Sequence, residues 1–229
     1  KPNLAMAHSN LGSILSDLGN LQEAKKSFLQ AVALDPDLDE AHSNLGSILS
    51  DLGNLQEAER STRKAIELKP DLDEAHSNLG VILRDLGNLQ EAEQSYRQAI
   101  ELNPDFADAY FKLSHLELLK GDYQSGLKNY EFRFKKKLPT IPHGKPLIKR
   151  VDNEKLNKSE KLLVVSEQGL GDTLQYMRYI PYLRNQGFEI SFCAQEKLHS
   201  LIKASDIDHN PLTPGQAHTV SDGQWIPLL

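Results

Sequence analysis

The sequence predicts an all-α solenoid of paired helices over residues 1–138, followed by a partial α/β domain over 161–229. Two observations carry this. The blocks Ala41-His42-Ser43-Asn44-Leu45-Gly46 and Asp51-Leu52-Gly53-Asn54-Leu55-Gln56-Glu57-Ala58 recur unchanged 34 residues upstream and 34 residues downstream. A fixed period of this length marks helix–turn–helix units that bury their apolar faces against one another. The second observation is the apolar, β-branched run Lys161-Leu162-Leu163-Val164-Val165-Ser166, followed by Gly169-Leu170-Gly171. That order reads as a buried parallel strand and the Gly-rich turn that opens an α/β unit.

Three repeats are regular, at about 5–38, 39–72 and 73–106. In each, a first helix ends at an Asp-Leu pair, where Gly19, Gly53 or Gly87 supplies the turn residue. The second helix carries small residues (Ala24 and Ala31, Ala58 and Ala65, Ala92 and Ala99) that permit close packing. Pro36, Pro70 and Pro104 then stop it, since proline cannot continue the hydrogen-bond ladder. Gly12, Gly46 and Gly80 fall mid-helix, at about 1 kcal/mol each relative to Ala, which implies a partner helix crossing at close range. Leu11, Leu15 and Leu18, with Ile14 beside them, form the packed face of the first helix. The period and these positions resemble the tetratricopeptide (TPR) repeat, which implies a superhelical binding scaffold.

A fourth repeat, about 107–138, has drifted. Tyr110, Leu113 and Gly121 keep its register, while Ser114 replaces the mid-helix glycine and Gly126 the small alanine. Its second helix is expected to continue through Tyr130-Glu131-Phe132-Arg133-Phe134, an aromatic run suited to meeting the domain that follows. Residues 139–160, with Pro139, Pro142 and Pro146 among lysines, read as a basic, extended linker.

Charge divides the chain in the same way. Residues 1–119 hold 10 Lys+Arg against 20 Asp+Glu, and 120–161 hold 12 against 5. An acidic array excludes nucleic acid along the repeats. Cys193 is the single cysteine, so no intrachain disulfide forms; a reducing, cytoplasmic setting is the expectation. No apolar run approaches the ~20 residues a membrane span needs. The chain opens on Lys1 and starts and stops within its patterns, so it is expected to be a fragment.

The first helices place Ser9, Asn10, Ser13 and Asp17 on one face by their three- and four-residue spacing. Ser43, Asn44 and Asp51, and Ser77, Asn78 and Asp85, repeat this. Asn10, Asn44 and Asn78 would then form a ladder, one rung per repeat. An amide both donates and accepts, so such rungs suit a peptide backbone of any sequence. The repeats are similar to those of the O-linked N-acetylglucosamine transferase family, which implies a groove for an extended polypeptide. Lys112 departs from that pattern at the fourth rung. His8, His42 and His76 lie a repeat apart, too far for one metal ion, and are expected to be structural; no metal site is expected.

In the α/β part, a helix is expected over about Thr173–Asn185, a strand over Phe188–Cys193 and a helix over about Glu196–Lys203. Asp172 lies at or near a helix cap. The run Glu167-Gln168-Gly169-Leu170-Gly171-Asp172-Thr173-Leu174-Gln175-Tyr176-Met177-Arg178-Tyr179 resembles the start of the family-9, heptosyltransferase-type GT-B glycosyltransferase domain found behind TPR arrays in bacterial proteins. The resemblance implies a Rossmann-like N-terminal lobe. It places Gly171 and Asp172 in the acceptor site, with Asp172 as the catalytic base, and Glu167, Gln168 and Gly169 beside them are expected to bind substrate. The lobe that would hold a nucleotide-sugar donor is not in this sequence, so no cofactor is expected and the chain alone should be inactive. The competing expectation is a non-catalytic interaction protein whose α/β segment caps the solenoid.

Overall fold

The computed structural model describes residues 2–137, 142, 144–151, 161–167 and 169–228. They fall into two compact units, Lys1–Lys137 and Leu138–Leu229. The first is a helical array and the second a four-stranded parallel sheet with helices.

The array runs α1 (Pro2–Asp17), α2 (Leu21–Leu34), α3 (Asp39–Asp51), α4 (Leu55–Leu68), α5 (Asp73–Asp85), α6 (Leu89–Leu102), α7 (Ala107–Leu119) and α8 (Tyr123–Tyr130). Each hairpin turns on the predicted glycine. Gly53 has φ +76°, its N–H donates to the Ser50 carbonyl at 2.9 Å and the Asn54 N–H donates to the Leu49 carbonyl at 2.8 Å. This is a left-handed cap that satisfies carbonyls the helix end leaves open. The second helices stop where proline dictates: Asp35, Lys69 and Asn103, each preceding a proline, are extended at the helix end.

The mid-helix glycines are contact points. A Cβ on Gly12 would strike the Phe28 ring, one on Gly80 the Tyr96 ring, and one on Gly46 the Thr62 hydroxyl. Around them Leu45, Ile48, Leu49 and Ile82 join Ala24, Phe28 and Ala58 in one core cluster, and Leu79, Leu83, Leu113 and Leu116 join Ala92 and Tyr96 in the next. The recurring histidines tie loops: His42 Nε2 lies 2.9 Å from the Pro36 carbonyl oxygen and His76 Nε2 2.9 Å from that of Pro70. Histidine and proline therefore recur together because they bond each other.

Two expectations for the array change. Leu11 is 46% exposed, Ile14 57% and Leu18 69%, whereas the equivalent Leu45 and Ile48 are 5% and 3% exposed. A repeat's first helix packs its leucines against the preceding repeat, and no described residues precede α1. In the fourth repeat the second helix stops at Tyr130, and Glu131–Phe134 forms a 3₁₀ turn. That turn folds back on its own repeat, stacking Phe132 on Tyr110 with ring centroids 3.9 Å apart.

The second unit holds β1 (Lys149–Arg150), β2 (Lys161–Ser166), α9 (Leu170–Tyr176), α10 (Tyr179–Asn185), β3 (Glu189–Cys193), α11 (His199–Ala204), α12 (Pro214–His218) and β4 (Gln224–Leu228). All pairings are parallel, in the order β1-β4-β2-β3. β2 lies between two neighbours and is buried on both faces. Leu162 and Val164 meet Ile180, Phe192 and Ile202 on one side, while Leu163 and Val165 meet Cys193 and Ala217 on the other. That double burial is why its sequence is continuously apolar.

Three sequence expectations are corrected here. The stretch expected to be linker contributes β1, and Val151 beyond it enters the core. The residues from Trp225, for which the sequence signals no element, are part of β4. Its Pro227 is tolerated because β4 turns that backbone position toward β1, whose pairing among the described residues ends at Arg150. The single helix expected over Thr173–Asn185 is two, α9 starting at Leu170 and breaking after Tyr176. Pro181 lacks the N–H that would bond the Met177 carbonyl, so the chain turns there.

Candidate functional site

The first helices α1, α3, α5 and α7 stand side by side and carry the predicted polar face. Between α1 and α3 a shallow depression of about 160 Å³ is lined by Ser13, Ser16, Asp17, Phe28, Asn44, Ser47 and Ile48. Asn44, Asp17, Ser13 and Ser47 are thus brought together as the spacing implied. Asn10 is exposed, Asn44 and Asn78 are half-buried, and none of the three amides is hydrogen-bonded within the chain among the described residues. Each rung is available to a ligand.

The serines beside them behave differently. Ser9 is 5% exposed, Ser43 8% and Ser77 0%. They point into the helix contacts, where a small side chain is required, and Ser77 Oγ accepts from Lys112 Nζ at 3.1 Å. Asp17 and Asp51 are exposed, while Asp85 is paired with Arg84 at 2.7 Å.

The groove changes character at its fourth rung, and the change extends beyond the Lys112 departure seen in the sequence. At the 34-residue period, Ser43 and Ser77 become Phe111, Asn44 and Asn78 become Lys112, and Ser13 and Ser47 become His115. Phe111 and His115 meet edge to face at 4.5 Å, and the Tyr130 ring lies 5.4 Å from Phe111. Lys136 Nζ sits 4.6 Å from the Phe111 centroid and 3.1 Å from Asp108. His115 Nδ1 is 2.8 Å from the Phe111 carbonyl oxygen, so Nδ1 carries the proton and donates. Burial holds the His115 imidazole below its usual range, and burial likewise lowers the Lys112 ammonium. Behind them Glu117 is 2% exposed and accepts from Asn129 Nδ2 at 2.8 Å and Arg97 at 3.2 Å. Burial nevertheless pushes its carboxyl up.

In the second unit a cleft of about 490 Å³ opens past the C-terminal ends of β2 and β3, lined by Gly169, Leu170, Gln195, Glu196, Lys197 and Pro214. This edge is where ligands sit in open parallel sheets. Gly169 is the residue that starts α9, and Asp172 lies in the first turn rather than at the cap. Its Oδ2 accepts the Gly169 N–H at 3.2 Å, closing the turn. Glu167 is 5% exposed at the end of β2, whereas Gly171 is open, with no atom within 4 Å of a would-be Cβ. Gln168 lies outside the described residues. Thr173 Oγ1 donates to Gln195 Oε1 at 3.0 Å, a bond across the cleft floor that no sequence motif signalled. Among the described residues no group of His, Cys, Asp and Glu has metal-binding geometry, and no helix is long and apolar enough to cross a membrane.

Comparison with known proteins bears on the array. Models described as tetratricopeptide repeat match residues 39–72, 73–106 and 95–128, and one described as TPR repeat matches 12–53. No curated protein matches the chain. Among solved structures, MamA is 26% identical with a TM-score of 0.52, over 58% of this chain and 77% of that one. MamA from Desulfovibrio magneticus RS-1 is 19% identical with a TM-score of 0.51, over 56% and 72%. The first TPR of Spaghetti (RPAP3), solved with the HSP90 peptide SRMEEVD, is 22% identical with a TM-score of 0.51, over 53% and 96%. With matches that run together from residue 12 to 128 and the paired helices to go with them, the chain belongs to the tetratricopeptide-repeat family.

Proposed function

We propose that the repeats hold an extended polypeptide along the face of α1, α3, α5 and α7, with Asn10, Asn44 and Asn78 pairing to its backbone. One observation carries this: three amides at a 34-residue period, none of them bonded within the chain among the described residues. A peptide bound by the RPAP3 repeats supports the same use of the fold. Asp17, Asp51 and Asp85 rim the groove, and the buried Ser9, Ser43 and Ser77 set helix spacing rather than touch the ligand. The test is to change the three asparagines together to Ala and measure binding of a fluorescent neutral peptide. Affinity should fall at least tenfold with the melting temperature held; unchanged affinity overturns the ladder.

A second reading concerns the α/β unit, and the cleft at the C-terminal edge of its sheet favours it. It is an acceptor lobe of a cytoplasmic bacterial glycosyltransferase, with Asp172 as general base beside Gly169 and Gly171, and Glu167 and Gln168 nearby. A nucleotide-sugar would be supplied to it by a second lobe, and the repeats would present the polypeptide acceptor. Asp172→Ala in a protein carrying both lobes should abolish transfer from a nucleotide-sugar. Transfer that persists removes Asp172 from the mechanism, whereas no transfer by the unaltered two-lobe protein leaves the α/β unit as a structural cap on an interaction protein.

A further inference from the structure

Lys112 stands at the fourth rung, 34 residues after Asn78, with an ammonium in place of an amide. Its Nζ donates to Ser77 Oγ at 3.1 Å, and no carboxylate lies within 4.0 Å of it among the described residues. Asp108 and Glu74 act on it only at longer range, and Arg84 and Lys136 oppose them. Of the two acids that act on it, Asp108 is already engaged by Lys136 at 3.1 Å, and Glu74 lies beyond ion-pair distance. A cation taken out of water without a counter-ion is costly, and a ligand that brings the missing carboxylate offsets that cost.

Rungs stand roughly 10 Å apart, the usual spacing of packed helices, and an extended peptide advances about 3.3 Å per residue. One rung therefore corresponds to about three residues. The groove does not end at Lys112. Phe111 and His115 continue the surface beside it, and Leu119, 69% exposed, takes the position held by Asp17, Asp51 and Asp85 in the other repeats. A bound segment has apolar surface to follow past the cation, so the carboxylate belongs to a side chain within the segment rather than to its end.

We propose that the groove selects extended polypeptides with an internal Asp or Glu, seated on Lys112 about three residues beyond the part of the backbone paired to Asn78. The inference rests on the asparagine-ladder reading and adds a sequence preference to it. It makes the site half neutral and half charge-reading, with Asn10 and Asn44 blind to side chains and Lys112 not.

The test uses the whole chain and three fluorescein-labelled twelve-residue Gly/Ser/Ala peptides, all C-terminally amidated except one. The first is neutral, the second carries one internal Glu, and the third is neutral with a free C-terminal carboxylate. Anisotropy titrations in 50 mM salt should show the Glu peptide binding about tenfold tighter than the neutral one, the scale of one charge-assisted hydrogen bond. The gain should shrink in 500 mM salt. Lys112→Met should remove the gain, while Lys26→Met, on the exposed side of α2, should change neither the gain nor neutral-peptide binding. A Glu peptide no tighter than the neutral one, or a gain that survives Lys112→Met, overturns the inference while the ladder stands. So does a gain confined to the free C-terminus. If no peptide binds, the ladder reading itself fails. If only the Glu peptide binds, Lys112 is supported and the neutral rungs are not.

Discussion

Gly46 lies against Thr62 so closely that a Cβ there would overlap the threonine hydroxyl and come within 3.2 Å of its backbone nitrogen. In the flanking repeats the three nearest obstacles all belong to the Phe28 and Tyr96 rings, whereas at Gly46 a backbone nitrogen stands among them. Ring edges can shift; backbone cannot. Gly46→Ala should therefore destabilise the array by about 2 kcal/mol as an overpacked contact, read as a loss in urea midpoint. The same change at Gly53 tests a different cause, a left-handed turn at φ +76°, and should cost about 1 kcal/mol.

Tyr96 is fully buried and its hydroxyl has no hydrogen-bond partner among the described residues. Removing an unsatisfied buried hydroxyl is neutral or stabilising, so Tyr96→Phe should raise stability by up to about 1 kcal/mol. Burial pushes the Tyr96 phenol up to about 12 from 10.0. A raised folded-state value means stability that is complete below pH 10 and lost as pH rises toward 12. Chemical denaturation from pH 9 to 12 should show this loss in the native protein and less of it in Tyr96→Phe.

Leu11 and Leu45 occupy the same position of successive repeats yet are 46% and 5% exposed. Leu45→Ala should cost about 2–5 kcal/mol as a buried cavity. Leu11→Ala should stay within about 0.5 kcal/mol. Equal losses would mean that the α1 face is covered in solution.

Lys112 carries opposing effects on folding and binding. Burial lowers its ammonium from the usual 10.5, so the folded state pays for that charge at neutral pH. Lys112→Met should melt higher than the native protein at pH 7. The difference should narrow as pH rises through the lowered folded-state value and close above 10.5. A variant that melts lower would show that the Ser77 contact outweighs desolvation.

Cys193 is fully buried between the sheet and α12, and burial pushes its thiol up to about 12. It should resist Ellman's reagent at pH 8 until denaturant is added, because the thiolate is the reactive form. Rapid labelling of the native protein would place the thiol at the surface.

Identity at a fixed period is what made the array legible. The helices α1–α6 alternate at the 34-residue period, with α1 starting at Pro2, ahead of residue 5, because glycine caps and proline stops act locally. Which side of a helix is covered is not a local property. Leu11 and Leu45 have the same sequence surroundings and opposite exposure, and Ser43 reads as a groove residue until the neighbouring helix closes over it. The fourth repeat was half readable, since Tyr110 holds register but nothing in Tyr130–Phe134 announces a 3₁₀ turn stacking Phe132 on Tyr110. In the α/β unit β2 was evident from its apolar run. β1 is only two residues long, and β4 contains Pro227, which argues against a strand until its position past the end of β1 is known. The Lys112–Ser77 contact joins residues 35 apart, and only the superhelix brings them together.

The bare α1 face also fixes how the array should come apart under load. Each helix touches mainly its sequence neighbours, and among the described residues α1 with α2 packs against a repeat on one side. Tethered at the N-terminus in an optical trap, the array should peel one hairpin at a time from that end. The length steps should be nearly equal, because three repeats share one period, and successive forces should stay similar, because each hairpin that peels leaves the next with a neighbour on one side only.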